Sequence, residues 1–378
     1  MGDKQRGHNE GSVWYEPEKN RWIAAVTIGP GKRKRIACKT KQEAIRAKNE
    51  LLRKANEGML PTSADRKIKD YLPEWLETVQ KDKVRTSTYV KYKKLSKYIL
   101  EELGDYTLQK ITPFQIKTFY NKKLADGLST KTVSSIHGLL HVSFETAVSW
   151  GYVTRNICDV VEPPKIVSRQ GTPLTIEQAK ILLEQVKDHR LEVLLTMAIV
   201  TGMRRGELLA LRWSSVDLIR GIAIVLNTVD YIPKYGYVET APKTKAGKRP
   251  ISLPPFLITM LIEHKKKQEV NRKRYGNAWE NRDLVFPDIH GGYFNPSYLL
   301  RVFKKILIDA GLPHMHFHDL RHSAATILLT MGVNVKIIQE LLGHSNVALT
   351  LDTYSHLLPS MQEDAVNMWD ELFKKEEE

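Results

Sequence analysis

Cysteine is nearly missing from this chain. Cys38 and Cys158 are the two cysteines in 378 residues, far apart and without companions, so neither a disulfide framework nor a thiolate metal site can be built within one chain. Long apolar runs are missing as well: the longest predominantly apolar stretch, Leu194 to Val200, falls well short of the roughly twenty residues of a membrane helix. The start, Met1 to Glu10, is polar and charged and lacks the apolar core of a signal peptide. These absences lead us to expect a cytoplasmic, nucleoid-associated protein with no membrane contact. There is no internal repeat, and the only biased tract is the tail Lys374 to Glu378. Acidic residues are in deficit, 43 against 58 Lys and Arg, for a formal net charge of +15. That balance calls for a polyanionic partner, and nucleic acid leads because no long amphipathic basic helix or lipidation signal competes with it.

A chain of this length exceeds one ordinary core, so several domains are expected. After a flexible start (1–10), residues 11–57 alternate like three strands, Ser12–Tyr15, Trp22–Ile28 and Lys34–Ala37. A helix capped by Thr40 follows, with Ala44, Ala47, Leu51 and Leu52 at helical spacing. Arg21, Lys32, Arg33, Lys34 and Arg35, with Trp14 and Tyr15 or a subset of these, would lie on the sheet face away from that helix. The face is either a surface for a DNA major groove or a solvated basic one.

Residues 58–65 read as a linker, and 66–164 as an all-helical bundle with caps at Thr112-Pro113 and Ser129. The bundle's many lysines make it a candidate for phosphate contacts. A linker, 165–172, which follows the prolines Pro163 and Pro164 that end the bundle, leads to a mainly helical domain, 173–360, with a small antiparallel sheet. An amphipathic tail, 361–378, carries Met361, Ala365, Met368, Trp369, Leu372 and Phe373 at helical spacing. The fold class expected is multidomain α+β.

Four polar islands interrupt the last large domain: Thr201 to Leu208, Lys243 to Arg249, His318 to His322, and Leu342 to Ser345 with Asp352-Thr353-Tyr354 beyond. Singly, each has a bland reading as a helix cap, a solvated loop or a core tyrosine. Together they hold what phosphoryl transfer at a DNA backbone needs. Arg204 and Arg321 can fork onto a phosphate, while His318 and His344 can donate hydrogen bonds or move protons. Lys245, on a turn between strands, can protonate the departing 5′ oxygen, and Tyr354 can be the covalent nucleophile. His314, His316, His318 and His322 also cluster, but without carboxylate or thiolate companions, so no metal and no cofactor is expected.

The set resembles the tyrosine recombinase (phage-type integrase) family, especially integrases of conjugative transposons and of phages of Gram-positive bacteria. The family's order of Arg, Lys, His-x-x-Arg, His or Trp, and Tyr matches Arg204 in Thr-Gly-x-Arg, Lys245, His318-x-x-Arg321, His344 in Leu-Gly-His, and Tyr354. Arg204 is preferred to Arg205 because it follows Thr-Gly-x directly, and Lys245 to Lys243 or Lys248 by its spacing before Ile251-Ser252-Leu253-Pro254. Arg205, Lys243 and Lys248 would be DNA-contacting neighbours.

The resemblance implies that Glu207 orients basic neighbours, that 11–57 is an arm-type DNA-binding module, 66–164 a core-binding domain and 173–360 the catalytic domain. It further implies double-stranded DNA with core and arm attachment sites as substrate, a 3′-phosphotyrosyl intermediate and a Holliday junction. A homotetramer joined through the C-terminal tail is implied, with a host DNA-bending protein and an excisionase as further partners. Two other classes compete: a catalytically silent DNA-binding regulator on the same scaffold, and a type IB topoisomerase-like nicking and closing enzyme.

Overall fold

The computed structural model describes residues 11–29, 32–56, 66–166, 173–242 and 245–343. The chain divides into two compact units, Met1–Ser168 and Arg169–Glu378.

The first unit opens on an antiparallel sheet of order β1-β2-β3: β1 (Ser12–Glu16), β2 (Arg21–Gly29) and β3 (Lys32–Cys38). The connection between β1 and β2 is a 3-10 turn, Pro17–Lys19, closed by Asn20 in the left-handed region. α1 (Lys41–Asn56) lies against the sheet, with Leu51 packed on Val26 and the Lys41 ammonium over the Trp22 ring. Its start is a capping box: the Glu43 N–H donates to Thr40 Oγ1, and Glu43 Oε2 accepts from the Thr40 and Lys39 N–H groups.

Strand register sorts the basic residues by face. Ser12, Ala25 and Arg35 stand opposite one another, as do Trp14, Ile23 and Ala37. Alternation then puts Trp14, Arg21, Arg33 and Arg35 on one face, with the Arg35 guanidinium over the Trp14 ring. Tyr15 and Lys34 share the parity of Trp22 and Val26, the side that meets α1, so the basic face is the smaller of the subsets expected. The side chain of Lys32 lies outside the described residues.

The helical part of this unit comprises α2 (Ile68–Trp75), which runs on into a π turn at Leu76–Gln80, then α3 (Thr86–Leu103), α4 (Pro113–Ala125) and α5 (Thr130–Ser149). Trp75, Tyr71, Ile99, Ile116, Tyr120, Leu139 and Phe144 are among the residues of its buried core. Both expected caps are formed. Thr112 and Gln115 make a reciprocal capping box, and Ser129 Oγ accepts the Thr132 N–H at 3.2 Å.

In the second unit, α6 (Ile176–Gln185), α7 (Glu192–Thr201) and α8 (Arg205–Leu209) precede the strands β4 (Val216–Asp217), β5 (Ile222–Val225), β6 (Thr228–Ile232), β7 (Gly236–Thr240) and β8 (Arg249–Ser252). The helices α9 (Pro255–Tyr275), α10 (Pro296–Asp309), α11 (Asp319–Thr330) and α12 (Val335–Leu342) follow. The strands form two sheets, one of order β4-β5-β8 and the other pairing β6 with β7. The strand-like run Ile222–Val229 is broken at Leu226-Asn227, where the chain changes sheets. Lys245 opens a 3-10 turn on the way from β7 to β8, so its loop joins two sheets and is not the tip of one hairpin. The apolar helix α7 lies in the middle of the unit, with Leu195, Met197 and Ala198 buried in the same core as Leu208, Ile251 and Leu257.

Candidate active site

α7 ends at Gly202, which takes the left-handed conformation at φ 60°. A Cβ there would stand 2.4 Å from Leu342 Cδ2 and 3.4 Å from Ala324 Cβ, so glycine is required by both backbone and neighbours. The chain reverses at once into α8, leaving Arg204 extended at that helix's start. In this position the Arg204 N–H donates to Glu207 Oε2 at 3.0 Å and its Nη1 to Oε1 at 2.7 Å. Glu207 is only 3% exposed. Burial raises its pKa, but the Arg249 guanidinium and then Arg204 outweigh that, and the net shift is downward.

α11 supplies the second cation. Arg321, 3% exposed, donates from Nη1 to the Gly202 carbonyl at 2.8 Å and from Nη2 to the Leu342 carbonyl at 2.6 Å. It therefore ties the end of α7 to the end of α12. His318 immediately precedes α11 and is exposed at the surface. Partial burial of the ring, then the nearby His322, Arg321 and Arg204, lower its pKa, so it is a neutral imidazole near pH 7. His322 stands edge-on to it with ring centroids 5.3 Å apart, and its own pKa is lowered by burial.

Arg204, Glu207, His318 and Arg321, drawn from positions more than a hundred residues apart, thus converge around the Gly202 reversal. Arg205 turns aside to Asp230 on β6 at 3.3 Å, and Lys248 is exposed. In the first unit, Arg21 is paired with Glu16 at 2.6 Å. Lys243, the side chain of Lys245, and His344 and Tyr354 lie outside the described residues, as does the tail 361–378. Among the described residues no group of three or more His, Cys, Asp or Glu side chains converges as a metal site would.

One participant escaped the sequence reading. Arg249 closes the polar island Lys243 to Arg249 and has no role assigned from sequence, yet it is 5% exposed and holds the Leu341 carbonyl, the Gly247 carbonyl and both oxygens of Glu207. A signal was present: Arg249 shares the inward parity of Ile251 in β8. A buried arginine beside apolar neighbours must be partnered.

Comparisons with known proteins give the family and the fold. The Phage integrase family signature matches residues 173–361, and that of the phage integrase N-terminal SAM-like domain matches 67–124. The chain is 33% identical to a tyrosine recombinase XerC-like protein of Caldanaerobacter subterraneus subsp. tengcongensis, over 94% of this chain and 97% of that one. It is 28% identical to the ICEBs1 integrase of Bacillus subtilis, over 90% and 92%. Its fold is similar to that of the Tn1549 transposon integrase in complex with transposon right end DNA, at TM-score 0.68 and 20% identity over 76% of this chain and 95% of that one. A lambda integrase tetramer bound to a Holliday junction gives TM-score 0.57 at 19% identity over 92% and 96%. With the family signature on the unit that holds both arginines and His318, this chain belongs to the Phage integrase family of tyrosine recombinases, whose members catalyse DNA cleavage and rejoining.

Proposed function

We propose that this protein integrates and excises a mobile element or prophage by site-specific recombination, with Tyr354 as the nucleophile. The convergence of Arg204, Arg321 and His318 on the Gly202 reversal is the observation that carries this reading. The two guanidinium groups bind the non-bridging oxygens of the scissile phosphate and offset the charge that builds there. His318 and His344 donate hydrogen bonds to the same oxygens. The Tyr354 oxygen attacks phosphorus in line, the bond to the 5′ oxygen breaks, and Lys245 delivers the proton that this oxygen takes up. The phosphodiester energy is kept in a 3′-phosphotyrosyl bond, and the 5′ hydroxyl of a partner strand reverses the step to give a Holliday junction.

The same reading assigns 11–57 to arm sites, 66–164 to core sites and 173–360 to catalysis. It places the protein in the bacterial cytoplasm with the nucleoid. A homotetramer on synapsed DNA, joined through the tail 361–378, follows from it, as do a host DNA-bending protein and an excisionase as helpers. Deleting the residues after Ser360 tests the tail: loss of synapsis with cleavage retained is the expected result, and loss of cleavage with it would refute an exchange between subunits.

A nicked duplex spanning the junction of the circularised element, in which the cleaved end diffuses away, tests the chemistry. Wild-type protein should accumulate a covalent adduct that Tyr354→Phe abolishes, and two such sites should exchange strands. No adduct at all indicates a silent DNA-binding regulator; an adduct without exchange indicates a nicking and closing enzyme.

A further inference from the structure

We propose that Arg249 is a positioning residue for strand cleavage, holding the loop that carries Lys245 against the end of α12, next to His344. The inference deepens the recombinase reading and rests on it. Arg249 is where three separated segments meet. Its Nε donates to the Leu341 carbonyl at 2.6 Å, in the last turn of α12, and its Nη1 to the Gly247 carbonyl at 3.2 Å, in the turn that Lys245 opens. Nη2 and Nη1 reach Glu207 Oε2 and Oε1 at 3.0 and 3.4 Å. Only a guanidinium, with five N–H donors in a planar fork, spans such a set; a lysine ammonium is a single point on a flexible stem.

The close fit of the two segments gives a second, independent sign. Gly343, at φ 67°, has no room for a side chain, because a Cβ there would stand 2.7 Å from the Ala246 carbonyl oxygen and 2.9 Å from Arg249 Cδ. The Lys245 turn and the residue before His344 are therefore in contact, with Arg249 as their shared anchor. The other connections do not run through Arg249. Glu207 still orients Arg204, and Arg321 still joins the end of α7 to Leu342. What loses its tether is the Lys245 turn, so the defect should fall on protonation of the leaving oxygen and spare phosphate binding.

Leaving-group chemistry isolates that step. In a duplex whose scissile 5′ oxygen is replaced by sulphur, the phosphorus–sulphur bond breaks and a thiolate departs without needing a proton. Full-length wild type, Arg249→Ala, Arg249→Lys and Lys245→Ala are compared on the ordinary and the sulphur-bridged duplex, with adduct formation, DNA affinity and thermal melting recorded. Both Arg249 variants should lose about 10²-fold in cleavage of the ordinary duplex, the scale of a general acid's contribution, recover to within about tenfold of wild type on the sulphur duplex as Lys245→Ala does, and keep DNA affinity within about threefold.

Equal losses on both duplexes, or no loss on the ordinary one, overturn the proposal. So does failure of Arg249→Lys to fold, which would make the residue purely structural. Arg249→Lys alone carries the test if Arg249→Ala is unfolded. Absence of an adduct with wild type on either duplex is a different outcome, for then the recombinase reading itself falls.

Discussion

Glu207 sits between two arginines, buried, and its carboxylate is the shared partner of both. Replacing it with Gln keeps the shape but leaves Arg249 without its counter-charge in the interior, which costs about 3 kcal/mol. Thermal melting of Glu207→Gln should therefore show Tm about 10 °C below wild type, and an unchanged Tm would mean that the pair is not buried in solution. Its pKa lies below the unfolded value of 4.5, so its contribution is complete above that pH and is lost as pH falls through the folded pKa. Histidines add a second acid sensitivity at higher pH. His264, His318, His322 and His137 all have pKa values lowered from 6.5, and at His264 burial outweighs the opposing hydrogen bond to the Val285 carbonyl at 2.7 Å. A lowered histidine pKa means the unfolded chain binds the proton first, so stability is full above about pH 6.5 and falls as pH drops below it. Melting between pH 7.5 and 5 should show a steady decline in Tm that His264→Gln makes shallower; a flat profile would contradict it. Arg204, His318 and Arg321 were legible in the sequence because phosphoryl transfer calls for their types and the family resemblance supplies their order. Arg249 was not, since an arginine after a basic loop reads as one more solvated cation until its burial is known.

The elements that place the site are helix ends more than helix bodies. α7, α12 and α8 meet at their termini, and the two left-handed glycines, Gly202 and Gly343, allow the approach. Gly343→Ala tests this: the added methyl must displace the Ala246 carbonyl or the Arg249 side chain, a strain of about 1–3 kcal/mol. The expected outcome is a protein that binds its DNA normally but forms adduct slowly, read by comparing equilibrium binding with single-turnover cleavage; parallel loss of both would indicate general unfolding. Local chemistry made other ends readable beforehand. Thr112, Ser129 and Thr175 each accept an N–H from the helix they open, as their sequences anticipate. α9 was not anticipated at all. Its second half, Lys265 to Arg274, is charged at seven of ten positions, and only Leu257 and Leu261 are buried along the whole helix, so no apolar stripe announces it. The division of the strands between two sheets was equally hidden, because alternation along a strand says nothing about which neighbour it pairs with.

For the molecule as a whole, charge is the dominant sequence-level property. A net +15 and basic residues in both units imply a binding equilibrium driven by counterion release. If about six phosphates are neutralised, affinity for the attachment-site duplex should fall about 10³-fold between 50 and 200 mM salt. A fluorescence-anisotropy titration over that range measures it, and a slope near zero would remove DNA as the partner of these charges. The same charges act on β3, which forms an edge of its sheet with Arg33, Lys34 and Arg35 exposed along it. An unpaired strand edge invites another copy to extend the sheet, and a row of cations repels that copy. Stripping the row to alanine to probe the proposed DNA contacts would therefore confuse weaker DNA binding with sticky self-association. Reversing it to glutamate removes the attraction for DNA while keeping the edge guarded.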